Sequence, residues 1–374
     1  MSRRYLAGFV QDGLFNPLVA PTPTYLYNLY AWGENSQGQL GLNNRTNYSS
    51  PKQVGSLTTW SNISAGFYHT IATKTDGTLW SWGNNVLGQL GLGNVTRYSS
   101  PKQVGSLTTW LNISAGAYHT IATKTDGTLW SWGQNTKGQL GLGNITNYSS
   151  PKQVGSLTTW LNISAGAYYT IATKTDGTLW SWGQNTKGQL GLNNRTNYSS
   201  PKQVGSLTTW SKILAGIYFE LATKTDGTLW AWGDNSQGQL GLNNRTYYSS
   251  PKQVGSLTTW SNISAGFYHA ITTKTDGTLW SWGLNNLGQL GLGNITNYSS
   301  PKQVGSLTTW LNISAGFYHT IATKTDGTLW SWGRANSGEL GLNNLTDYSS
   351  PKQVGALTTW TKISSRSIST IALG

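Results

Sequence analysis

The chain has 374 residues, including 46 Gly, 20 Trp and 19 Tyr, with 10% charged residues and a formal net charge of +13. It has no cysteine, which excludes a disulfide framework, thiolate chemistry and a thiolate metal site and leaves the redox compartment open. No apolar run approaches the ~18 residues of a spanning helix, and no segment sustains a 3.6-residue period. Thr, Trp, Tyr, Ile and Val instead fill short runs between Gly, Asn, Asp and Pro, which predicts an all-β chain with many turns.

Residues 1–24 stand apart from the rest of the chain. Met1 to Val10 is basic and aromatic, with Arg3, Arg4, Tyr5 and Phe9, and Phe15 comes shortly after. Asp12, Asn16 and Pro17 interrupt anything like a signal-peptide apolar region, so this arm is expected to stay in the mature protein. Asn16 to Pro23 reads as an extended, proline-stiffened linker.

From Tyr25 onward the chain repeats. Ala72-Thr-Lys-Thr-Asp-Gly-Thr-Leu-Trp-Ser-Trp-Gly83 returns at Ala122, Ala172, Ala222, Thr272 and Ala322, always at a spacing of 50 residues. The remainder, 374 − 24 = 350, is seven whole periods. A fixed period of this size is the signature of stacked units that cannot bury their apolar faces alone. Within one period, Trp60 to Ala65 and Tyr68 to Lys74 read as strands. Thr75-Asp76-Gly77 is a tight hairpin turn. Thr78 to Trp82 is a third strand, and Gly83 to Tyr98 a long loop. Ser99 to Val104 is a short outer strand, placed at an edge by Pro101. Four antiparallel strands per unit and seven units predict a closed seven-bladed β-propeller over 25–374. The chain ends after the second strand of a unit, at Gly374, and enters at Tyr25 to Gly33, which matches the third. The last blade is therefore expected to be shared between the two ends.

The combined pattern is Ala-Gly-x-Tyr-His-Thr, Asp-Gly-Thr-Leu-Trp-Ser-Trp-Gly, Asn-x-x-Gly-Gln-Leu-Gly and Pro-x-x-Val. It resembles the repeat of the regulator-of-chromosome-condensation family across residues 25–374. The resemblance implies a seven-bladed propeller. The family's best-known member is a nucleotide exchange factor that also binds chromatin, through an inserted wedge and specialised tails. A strict 50-residue period leaves no room for a wedge, so that activity is not carried over. Ser49 to Trp60 recurs unchanged five more times, ending at Trp310, and Ala356 is the one departure in the seventh copy. This points to recent duplication or a consensus design.

The charge is spread out. Lys74 and its copies sit two residues from Asp76 and its copies and largely cancel. The excess comes from Lys52, Lys102, Lys152, Lys202, Lys252, Lys302 and Lys352, one per repeat. Such a ring blocks edge-to-edge strand pairing more readily than it tracks a nucleic acid.

Little suggests catalysis. His69, His119, His269 and His319 occupy one repeat position, filled elsewhere by Tyr169, Phe219 and Ser369, which reads as a packed site rather than a metal site. Asp76 and its copies are turn residues. Asp12, Glu34, Glu220, Asp234, Glu339 and Asp347 form no evident acid–base pair. Gly88 to Gly93 lacks the Lys-Ser/Thr of a phosphate loop. Most tryptophans are expected in the core. No enzyme activity, cofactor or metal is expected.

The copies differ mainly in the long loop. The candidate partner-binding residues there are Glu34, Gln37, Asn47, Asn84, Arg97, Lys137, Lys187, Asp234, Tyr247, Arg334 and Asp347. A constant scaffold with varied loops on one rim reads either as a recognition surface or as drift where loops tolerate change. The leading expectation is a non-enzymatic interaction propeller attached to a larger assembly through Arg3, Arg4, Tyr5, Phe9 and Phe15. The basic-aromatic arm ending in Asn-Pro-Leu is similar to the starts of some tailed-phage structural proteins, which implies a virion structural or host-recognition role and a virion location. The alternatives are a cytoplasmic regulator binding a small GTPase or chromatin, and a lectin that uses rim aromatics. The expected partners are proteins of the assembly, with a surface glycan or host receptor as further candidates.

Overall fold

The computed structural model describes residues 27–374, so the arm expected at 1–24, with Arg3, Arg4, Tyr5, Phe9 and Phe15, lies outside the described residues. After β1 (Leu29–Gly33) and β2 (Tyr48–Gln53), the first whole blade runs β3 (Trp60–Ala65), β4 (His69–Lys74), β5 (Leu79–Gly83) and β6 (Tyr98–Gln103). Five further blades repeat it, from β7 (Trp110–Ala115) to β26 (Tyr348–Gln353), and β27 (Lys362–Ser365) and β28 (Ser369–Leu373) end the chain. The strands form seven four-stranded antiparallel sheets. In the seventh the order is β2-β1-β28-β27, so the two chain regions close the ring as expected. Leu29 pairs with Leu373 and Gly33 with Ser369. Among the described residues no helix is long and apolar enough to cross a membrane.

Each hairpin is held by its own side chains. Asp76 Oδ1 accepts from the Thr78 backbone N–H at 2.9 Å and from the Thr78 hydroxyl at 2.6 Å. These bonds, with Lys74 nearby, hold the Asp76 carboxyl below its ordinary value. The Thr78 hydroxyl in turn accepts from Trp80 Nε1 at 2.9 Å, and the Lys74 ammonium lies 3.7 Å from the Trp80 ring. Because Thr78 N–H is committed to the turn, the third strand starts one residue later than its β-rich composition suggests. Gly77 has φ +77°, and a Cβ there would meet the Thr108 carbonyl oxygen at 2.0 Å, so the turn also docks the approach to the next blade.

The core lies between neighbouring sheets. Trp82 is fully buried with Leu29, Leu40, Val54 and Trp60 around it, and its equivalents repeat this around the ring. Its Nε1 donates 2.9 Å to the Gln39 carbonyl of the preceding blade. A second shared contact, at the four histidine-bearing joints, is polar: His69 Nε2 lies 3.0 Å from the Thr120 hydroxyl, which donates 2.8 Å to the Gln89 carbonyl. Asn62 Nδ2 donates to the Leu111 carbonyl, and Ser64 Oγ accepts from Ala115 N–H. Each such bond contributes about 1 kcal/mol net, so the register between blades is specified by several bonds as well as by packing.

Candidate docking face

Strand direction places the loops. Connections from first to second strand and from third to fourth emerge at one end of the ring, so the tyrosine-bearing turns and the varied long loops share a face. The hairpins at Gly77 and its copies are at the other end.

At the centre of the loop-bearing face, Phe67, Phe267 and Phe317 converge with Ala117, Ala167 and Ile217. The rings of Phe67 and Phe317 are 4.7 Å apart, and those of Phe267 and Phe317 are 4.9 Å apart. Large residues on one side and alanines on the other fill the axis. Around this plug stand Tyr68, Tyr118, Tyr168, Tyr218, Tyr268 and Tyr318, all half-buried, with Ile368 in the seventh place. Tyr68 and Tyr118 have ring centroids 6.1 Å apart. Burial holds the phenols of Tyr68, Tyr118, Tyr218 and Tyr268 above their ordinary value, with Glu34 adding to the effect at Tyr68 and Asp234 at Tyr268. They therefore stay protonated donors at neutral pH.

The varied loops form the next ring outward. The backbone N–H of Asn84 donates 2.7 Å to the Tyr68 carbonyl, and Asp234 N–H donates 2.8 Å to the Tyr218 carbonyl. Arg334 and Glu34 are anchored likewise, to Tyr318 and Ile368. The structure divides the candidate residues into two sorts. Several are spent on the loop itself. Asn47 Oδ1 accepts from Asn35 N–H at 2.8 Å, and Asp347 Oδ1 from Ala335 N–H at 2.8 Å. Asp234, 3% exposed, accepts from Ser236 N–H, and Asn84, 6% exposed, bridges Gln37 and Gln89. Glu34 accepts from the Ser36 hydroxyl. The others present their heads outward. Arg97 and Lys137 are exposed, and Lys187 lies 5.2 Å from the Tyr247 ring of the next blade. Arg334 sits 3.6 Å from Glu339, whose carboxyl burial lifts to about 7.

The charge is uneven around the face. The long loops of three consecutive blades carry Arg97, Lys137, Lys187 and Arg195 and no Asp or Glu. The acids Glu34, Asp234, Glu339 and Asp347 belong to the other loops. The plug and tyrosine ring were not among the residues singled out from sequence. The signal was present in the variable position of the Ala-Gly-x-Tyr motif, which reads Phe, Ala, Ala, Ile, Phe, Phe and Ser around the ring.

The histidines are joints. All four are buried next to a threonine hydroxyl of the following blade, and burial lowers them to about 3, so they are neutral. Among the described residues no three of His, Asp and Glu gather where they could hold a metal. What the face offers is an aromatic ring with polar tips beside a basic arc, a composition common in protein interfaces.

Comparison of the sequence with curated proteins gives no match. Solved structures share the fold. Prp20p from Saccharomyces cerevisiae, described with its binding to Gsp1p and histones, matches over 94% of this chain and 93% of its own, at 20% identity and TM-score 0.82. Human WBSCR16 matches over 93% of this chain and 98% of its own, at 20% identity and TM-score 0.83. Yeast RCC1 (Prp20) bound to Kap60 matches over 100% of this chain and 95% of its own, at 19% identity and TM-score 0.84. The model of the RCC1-like domain matches residues 26–261 and 156–374, and with these matches spanning nearly the whole repeat array the chain belongs to the RCC1-like domain family.

Proposed function

We propose that the chain is a non-enzymatic binding propeller that docks an acidic protein surface on its loop-bearing face. One observation carries this: the three consecutive long loops anchored on the Tyr68, Tyr118 and Tyr168 carbonyls carry Arg97, Lys137, Lys187 and Arg195 and no acid. Tyrosine and arginine supply interface anchors at low conformational cost, and an arc of one sign steers an oppositely charged partner. Gsp1p, histones and Kap60, the partners named for yeast Prp20p, support a protein ligand and favour a regulator over display on a phage particle.

The face is tested by placing a photo-reactive amino acid at Lys137 in one variant and at Lys102, on an outer edge strand, in another. A partner in the native source should cross-link from position 137 and not from position 102. Equal cross-linking from both, or capture from 102 alone, would remove this face as the docking surface.

A further inference from the structure

The opposite end of the axis has a different chemistry. Beyond the phenylalanine plug lies a cavity of about 480 Å³, lined by two residues from each innermost strand and by Thr361. Its inner wall is isoleucine in every blade, from Ile63 to Ile363. Its collar is asparagine in five blades, as at Asn62 and Asn112, and lysine in two, Lys212 and Lys362. The two lysines are in the fourth and seventh blades, well apart around the ring.

The asparagines are mostly occupied. Asn112 Nδ2 donates 3.0 Å to the Leu161 carbonyl of the next blade, and Asn262 Nδ2 donates 2.9 Å to the Leu311 carbonyl. The lysines reach sideways along the same collar. Lys212 Nζ donates 2.8 Å to Asn262 Oδ1. Lys362 Nζ donates 2.7 Å to Asn62 Oδ1 and 2.7 Å to the Ser61 carbonyl. An ammonium has three N–H donors, so one of Lys212's bonds and two of Lys362's are accounted for, and three remain. Among the described residues no Asp or Glu lines the cavity. Burial lowers both ammonium groups, and no carboxylate acts to raise either. Both lysines are exposed at the mouth of this collar, so their ammonium groups are open to a ligand beside an apolar wall.

We propose that this collar is a binding site for a small multivalent oxyanion, a polyphosphate or a di- or tricarboxylate, held between Lys212 and Lys362. A ligand with two or more acidic groups can satisfy lysines on separated blades at once. The cavity falls in the range of small-molecule sites and is far larger than a lone halide needs. It lies at the other end of the ring from the docking face, so the two sites are independent.

The test is isothermal titration of the purified chain with tripolyphosphate and, separately, with citrate, in buffer low in chloride. One equivalent should bind. Lys212→Asn with Lys362→Asn installs the residue that the other five blades already carry, so the variant should melt as the parent does and bind at least tenfold more weakly. Asn312→Lys, which adds a third ammonium to the collar, should bind more tightly. Preference for tripolyphosphate or for citrate identifies the ligand as phosphate or carboxylate. Equal affinity in the parent and the double asparagine variant, or binding at several equivalents that the variant retains, would overturn the proposal.

Discussion

Arg366 stands where Gly66 stands in the first blade, and Ser369 is what makes room for it. A Cβ on Gly66 would lie 2.6 Å from the His69 ring, and one on Gly116 would lie 2.4 Å from the His119 ring. In the seventh blade the ring is replaced by a serine, and the arginine crosses the axis to the fourth blade, donating 3.3 Å to the Ala215 carbonyl and 3.4 Å to the Gly216 carbonyl. The pair predicts sign epistasis. Ser369→His alone should destabilise by about 2 kcal/mol or more through overpacking. Arg366→Gly alone should cost about 1–3 kcal/mol by removing charged hydrogen bonds and leaving a void. The double substitution rebuilds the glycine–histidine pair, with Thr70 in the next blade placed to receive the ring as Thr120 receives His69, and should recover most of the loss. Urea unfolding of the four proteins measures the coupling. Additive losses would mean that the two positions do not share this space.

The buried histidines set the acid limit. A base whose folded value is about 3, against 6.5 unfolded, contributes stability that is complete above 6.5 and is lost as pH falls from 6.5 through 3. Two buried acids oppose this. Glu339, at about 7, and Glu220, also raised by burial, hold protons in the folded chain that the unfolded chain releases above its ordinary value of 4.5. Between pH 4.5 and 6.5 the histidines take up protons on unfolding and the two acids release them, and the histidines are the more numerous. Stability is therefore expected to rise with pH across this window. Substituting His119→Phe with Thr170→Ala copies the Phe219 and Ala270 of another joint and should lower the slope by about 1.4 kcal/mol per pH unit. An unchanged slope would mean that His119 is not held neutral.

Glu339 is the one glutamate where the other six loops have glutamine. Its carboxyl is lifted by burial to about 7, so the folded state prefers it protonated and loses stability as pH rises from 4.5 through 7. Glu339→Gln should therefore stabilise by up to about 3 kcal/mol at pH 8 and hardly at all at pH 4. Melting temperatures at the two pH values decide this; the same shift at both would contradict it.

The long loops depend on glycine at a close approach. A Cβ on Gly91 would meet Trp132 Nε1 at 2.7 Å, and its φ is +74°. Gly91→Ala should cost about 2 kcal/mol or more, because it combines a left-handed backbone with displacement of a buried indole. The loss should appear as weaker protection from hydrogen exchange in the neighbouring blade as well as its own. A change confined to the local loop would show that the indole is not pinned there.

Much of the fold was legible because the period, the Asp-Gly turns and the broken last unit each leave a mark in the chain itself. The joints were not. His69 meets Thr120, His119 meets Thr170 and Tyr169 lies beside Glu220, all pairs 51 residues apart, yet a repeat read one unit at a time does not show which neighbours touch. The loop variation was visible, but its meaning was mixed. Asn47 and Asp347 are alternative caps for the same backbone N–H position, so their exchange is structural, whereas Arg97 and Lys137 present charge outward. Telling them apart requires knowing which way the loop folds back. Phe67 meets Phe317, and Arg366 meets the Ala215 and Gly216 carbonyls, only through ring closure, which no local pattern encodes.

The docking face itself is tested most directly by affinity. Once a partner cross-links from position 137, its dissociation constant should be measured against the parent and against Lys137→Glu with Lys187→Glu, at two salt concentrations. The charge-reversed chain should bind at least tenfold more weakly and with a shallower dependence on salt, since screening acts on the exposed pairs that were removed. Unchanged affinity and salt dependence would contradict docking on the basic arc and the tyrosine ring beside it.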